Sequence, residues 1–112
     1  MHEFGMAEGV LDTVRRRAAG RAVRRVRLRA GVRHAIVEAS MAHAFELVAA
    51  GTEAEGAALE LVTVPARLTC RSCGWSGDTV DVLARCPGCG GESVDVTGGD
   101  ELVLESLTYA GP

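Results

Sequence analysis

The segments CRSCGW and CPGCGG place Cys70, Cys73, Cys86 and Cys89 in two C-x2-C pairs with twelve residues between them. A glycine follows each pair, Gly74 or Gly90, and lets the backbone curl so that its amides turn toward the sulfurs. Two such knuckles make a tetrahedral all-thiolate site, which suits Zn2+ with Zn–S bonds of about 2.3 Å. Four thiolates fill the shell and leave no position for a reactive water, so the expected ion is structural. Two other chemistries use the same residue type. A rubredoxin-like iron centre takes similar knuckles, and a C-x-x-C redox pair needs one cysteine at a helix start to lower its pKa.

The opening MHE offers a different donor set. Histidine is a large second residue, which predicts that Met1 is retained with a free amine. That amine, the deprotonated amides of His2 and Glu3, and the His2 imidazole together supply four nitrogens. A flat four-nitrogen set favours Ni2+ or Cu2+ over tetrahedral Zn2+. Reduced cytosolic copper prefers sulfur, so Ni2+ is the expected occupant. His34, after a strand, and His43, on a helix, read as solvated or structural. The sequence holds no Ser/His/Asp grouping, phosphate loop or spaced carboxylate pair, so a non-enzyme is expected.

These groups must be held by a small framework. The chain has 112 residues, enough for one ordinary domain or two very small ones. Aromatic residues make up only 4%, so the core has to come from Val, Leu and Ala. A lobe this small often needs a metal or disulfides as a staple. Met6, Val10, Leu11, Val14 and Ala18 recur at helical spacing over 6–19, with Gly20 as the stop. Residues 23–30 read as a half-buried strand, with Val26, Leu28 and Ala30 on one face and Arg25, Arg27 and Arg29 on the other. A second helix over 37–50 presents Val37, Met41, Phe45 and Val48. Residues 57–69 form an extended run in which Pro65 marks an edge or a crossover. The stretch SVDVTGGDELVLESL reads as a hairpin around Gly-Gly-Asp.

The predicted class is α+β. A helix–strand lobe at 1–65, two helices on a small mixed sheet, precedes a four-cysteine zinc-ribbon lobe at 66–112, whose last strand is free to return to the first. Charge divides along the same line. Nine Arg fall between residues 15 and 33, while the cysteine lobe carries three Arg against seven acids. That acidic lobe argues against a nucleic-acid ribbon, since phosphates would repel it. No apolar run reaches the roughly 20 residues of a membrane span, and no secretory signal is seen, so a cytoplasmic protein is expected. In that compartment four cysteines more often bind metal than form disulfides.

Assembled, these residues resemble the HypA/HybF family of hydrogenase maturation factors, which are nickel metallochaperones. MHE matches the family's start and VRLRAG its first interior strand. AFELVAAGTEAEGAALELVTVPARLTC resembles the second helix and the strand entering the zinc lobe. CRSCG and CPGCG match the two knuckles, and GGDELVLESL the closing strand. The resemblance implies that His2, with Met1 and Glu3 through backbone nitrogens, binds Ni2+, and that the four cysteines hold Zn2+. It implies delivery of nickel to the large subunit of a [NiFe]-hydrogenase with the GTPase HypB, and in some organisms toward urease. A homodimer is left open. Members often carry an acid or polar residue before the second helix, where this chain has VRHAIVEAS, so Glu38 and His34 are not expected as nickel ligands.

Overall fold

The computed structural model describes residues 2–81 and 84–111, apart from the side chain of His2. Its elements are α1 (His2–Ala18), β1 (Val23–Gly31), a 3-10 turn (Val32–His34), α2 (Glu38–Ala49), β2 (Ala58–Val64), β3 (Ala66–Cys70), β4 (Ser76–Thr79), β5 (Val94–Gly98) and β6 (Leu102–Tyr109). They form two three-stranded sheets, ordered β2-β1-β6 and β4-β3-β5. The chain divides into two compact units. One is 1–29, 36–62 and 103–112; the other is 30–35 and 63–102.

The first unit is built from the periodicities in the sequence. In α1, Ala7, Val10, Val14 and Ala18 are buried at helical spacing. They pack with Val26 and Leu28 of β1, Met41 and Phe45 of α2, and Leu104 of β6. Each large side chain buried here contributes about 1.5–3 kcal/mol. α1 starts at His2, four residues before the expected start. It stops at Ala19 and Gly20, both with positive φ. Val37 is not on the packed face of α2: it is the extended N-cap, outside the helical repeat, and is 57% exposed.

On the outer face of the first sheet the arginines of β1 meet acids from both neighbours. Arg25 pairs with Glu60 of β2 at 3.2 Å, and Arg27 pairs with Glu105 of β6 at 3.1 Å. Such exposed pairs contribute little energy each, but they neutralise much of the stripe. The outer strands receive side chains from the helices as well. Glu38 of α2 accepts a hydrogen bond from the Leu61 N–H at 2.8 Å, and Arg17 of α1 donates to the Leu104 carbonyl at 3.0 Å. These bonds occupy backbone groups that an edge strand otherwise leaves unpaired. Among the described residues no helix is long and apolar enough to cross a membrane.

In the second unit, the extended run breaks at Pro65, where the chain changes sheet. β3 then pairs antiparallel with β4 and β5, Leu68 lying opposite Gly77 and Val96. The expected hairpin is not formed. Its two strands exist, but β5 belongs with β3 and β6 with β1. The segment between them is held elsewhere. Gly99 and Glu101 carbonyls accept hydrogen bonds from Arg33 at 2.8 Å and Gly31 at 2.7 Å. Gly98 and Gly99 both have φ near +70° and carry the chain past Ala66 instead of back along β5.

Candidate metal centre

Cys70 is the last residue of β3, and six residues further on, at Ser76, the chain enters β4. That geometry fixes the first knuckle. The Cys70 N–H donates to the Trp75 carbonyl at 2.8 Å, and the Gly74 N–H donates to the Cys70 carbonyl at 3.1 Å. The second knuckle repeats the pattern: Cys86 N–H to Gly91 carbonyl at 3.0 Å, Gly90 N–H to Cys86 carbonyl at 2.8 Å. Gly74 and Gly90 take φ of +81° and +73°, the left-handed conformation that closes each turn. Backbone amides also reach the sulfurs. The Cys73 N–H donates to Cys70 Sγ at 3.4 Å, and the Gly88 N–H donates to Cys86 Sγ at 3.3 Å.

The four Sγ atoms lie within 4.8 Å of one another. Two of the distances run between knuckles: 3.7 Å from Cys70 to Cys89 and 3.5 Å from Cys73 to Cys86. A tetrahedron with metal–sulfur bonds of about 2.3 Å has edges of about 3.8 Å, so the sulfurs are spaced for Zn2+. All four are free thiols. Cys70 and Cys86 are buried, and Cys73 and Cys89 are exposed.

Without an ion, four sulfurs this close cannot all carry charge. The Cys73 N–H holds the Cys70 thiol down at about 6, against desolvation that would raise it. At Cys73 the Trp75 N–H acts to lower the value, but Cys86, partial desolvation, Cys70 and Cys89 outweigh it and push the thiol up to about 12. At Cys89 the Gly91 N–H lowers, while Cys70, Cys86 and desolvation prevail and raise it. Cys70 is therefore the sulfur held toward the thiolate, and Cys73 and Cys89 those held toward the thiol. Zinc uptake by metal-free protein at neutral pH is expected to release protons from at least those two residues. Acidification should reverse it and eject the ion. A pH indicator in weak buffer measures the release; uptake without protons would contradict this assignment.

The other sequence candidates are spread through the structure. Met1 lies outside the described residues, as does the side chain of His2; the His2 backbone opens α1 and Glu3 sits in its first turn. The His34 Nε2 faces the Asp100 carbonyl at 2.8 Å. His43 is exposed on α2. Glu38 is engaged by Leu61. Among the described residues the four cysteines are the one group placed to hold a metal. Sequence reasoning missed Trp75, whose backbone completes the first knuckle. No spacing rule marks it.

The family model described as "Hydrogenase/urease nickel incorporation, metallochaperone, hypA" matches residues 1–109. The chain belongs to the HypA family. A hydrogenase maturation factor HypA of Dechloromonas aromatica is 37% identical over 111 residues, covering 96% of this chain and 97% of that protein. A HypA of Streptomyces avermitilis is 42% identical, covering 97% of this chain and 87% of its own length. The solution structure of the Ni metallochaperone HypA from Helicobacter pylori shares the fold, with a TM-score of 0.63 at 23% identity over the whole of both chains. As a HypA protein, this chain is a nickel metallochaperone of hydrogenase maturation, with nickel as cargo and a four-cysteine site suited to structural zinc. That family membership favours the carrier over a nucleic-acid ribbon.

Proposed function

We propose that the chain carries Ni2+ on its first three residues and hands it to the large subunit of a [NiFe]-hydrogenase, working with a HypB-type GTPase. The Met1 amine, the amides of His2 and Glu3, and the His2 imidazole are the nickel donors. Cys70, Cys73, Cys86 and Cys89 are the zinc ligands. The observation that carries the reading is the start of α1 at His2. The first four N–H groups of a helix have no acceptor within it, so the amides of His2 and Glu3 are not tied into the ladder. A donor set at a chain end can be taken apart one ligand at a time by an acceptor. The protein then works as a carrier and performs no catalysis, and its proposed compartment is the cytoplasm. Where the acceptor is urease, the same donors serve. A homodimer is compatible with these roles.

The test is a Ni2+ titration of untagged protein beside His2→Ala and protein acetylated at the Met1 amine, which removes that nitrogen as a donor. Both are expected to lose measurable Ni2+ binding while zinc stays near one per chain. Binding by the untagged protein should weaken as pH falls, because the donor amides must lose protons. If the acetylated chain binds Ni2+ as tightly as the original, the terminal site is wrong.

A further inference from the structure

Trp75 belongs to both knuckles at once. Its backbone is part of the first: its carbonyl accepts from the Cys70 N–H at 2.8 Å, and its own N–H donates to Cys73 Sγ. Its ring faces the second across the space a side chain at Gly88 would fill. A Cβ built on Gly88 would stand 3.4–3.5 Å from Trp75 Cδ1, Cβ and Cγ, which is ordinary van der Waals contact. Gly88 in turn donates its N–H to Cys86 Sγ at 3.3 Å. The far end of the ring rests on β4: a Cβ on Gly77 would fall 2.7 Å from Cη2 and 2.9 Å from Cζ2. A side chain at Gly77 therefore has to push the ring away.

The two knuckles differ in how they are held. The first is continuous with β3, whose register with β4 and β5 runs up to Thr69 and Cys70. The second lies in a non-strand segment before β5, and its hydrogen bonds to Gly91 and Gly90 are internal to it. The Arg85–Glu92 ion pair at 3.0 Å is also local to that segment. The Arg71 N–H donates to the Ser93 carbonyl at 2.8 Å and ties the first knuckle to the end of this segment; the apolar ring facing Gly88 adds a cover at the second knuckle itself.

We propose that Trp75 is a clasp that holds the second cysteine knuckle in line with the first, and so sets how tightly the four-sulfur site retains its ion. The proposal rests on the zinc reading of the four cysteines. It makes Trp75 a positioning residue, since it touches no metal through its side chain. The atoms assign the work within the ring. Cβ, Cγ and Cδ1 face Gly88, and a phenylalanine keeps their counterparts.

The experiment uses full-length protein with zinc as the probe. It compares Trp75→Ala, Trp75→Phe, Gly77→Ala and the Trp75→Ala/Gly77→Ala double variant. Zinc retention is measured against a chromophoric chelator, and alkylation of each cysteine is followed by mass spectrometry. Trp75→Ala is expected to weaken zinc binding by about 10- to 100-fold, the range seen when groups supporting a ligand shell are removed. Alkylation of Cys86 and Cys89 should rise more, relative to wild type, than that of Cys70 and Cys73. Gly77→Ala should copy this pattern, and the double variant should be no worse than Trp75→Ala alone. Trp75→Phe should stay close to wild type. Equal acceleration at all four cysteines, or additive losses in the double variant, would overturn the clasp. If Trp75→Ala fails to fold, Gly77→Ala and Trp75→Phe decide by the same cysteine pattern. A wild-type chain that holds no zinc would remove the reading of the centre, and the clasp with it.

Discussion

Stripping the metal with a strong chelator at neutral pH, or replacing Cys86 with serine, is expected to unfold the second unit and leave the first folded. The reason is the difference between their cores. The first unit gathers Phe45, Leu28, Met41, Val14 and Val26 into one apolar cluster. In the second, the buried side chains among the described residues are Ala30, Val32, Ala66, Leu68, Thr79 and the two cysteines Cys70 and Cys86. That set is too small to offset the chain entropy of a unit of 46 residues. Zinc binding in small finger domains amounts to about 10–16 kcal/mol, more than the whole stability of many domains. Cys86→Ser removes one of the four clustered sulfurs and places a hydroxyl where a buried sulfur stood. Hydrogen exchange measures the outcome. Amides of β3, β4 and β5 should lose protection, and those of α1 and α2 should keep it. Protection that survives chelation in β3 would show that the metal does not fold this unit.

Gly31→Ala is expected to be the most damaging single change away from the cysteines. Its φ of -68° is open to any residue, so the requirement is for space and not for conformation. A Cβ there would sit 2.0 Å from the Gly99 carbonyl carbon and oxygen and 2.5 Å from the Asp100 nitrogen. All three are backbone atoms that cannot swing aside. Relief needs the 98–101 segment to move, which breaks the Gly31–Glu101 and Arg33–Gly99 hydrogen bonds together. Overpacking alone costs about 1–3 kcal/mol, and each lost hydrogen bond about 1 more. The expected loss is therefore about 3–5 kcal/mol, read as a lower midpoint in denaturant. Gly9→Ala in α1, where a Cβ meets nothing within 4 Å, is the control for the glycine replacement itself. A Gly31→Ala protein as stable as wild type would mean that the two segments do not approach this closely.

What could be read from the sequence was local. The knuckles are legible because two cysteines and a glycine within five residues dictate a turn without help from elsewhere. The buried stripe of α1 and the Val26–Leu28–Ala30 face of β1 follow from periodicity alone. Pro65 is legible as a crossover because it has no N–H to give a ladder. The larger failures were questions of partners distant in sequence. Gly-Gly-Asp between two strand-like runs looks like a hairpin, but Arg33 and Gly31 claim that loop from more than 60 residues away. Trp75 looks like one aromatic beside a cysteine, and its meeting with Gly88 depends on how the second knuckle returns. The early start of α1 was hidden by Gly5, which weakens any helical reading of the first residues.

Within each knuckle the first cysteine, Cys70 or Cys86, is buried, and the last, Cys73 or Cys89, is exposed. The centre thus has a sheltered side and a weather side. Solvent therefore meets one sulfur of each loop, while the other faces inward. The two outer sulfurs are thus the open face of the centre, and the two inner ones its seat in the fold.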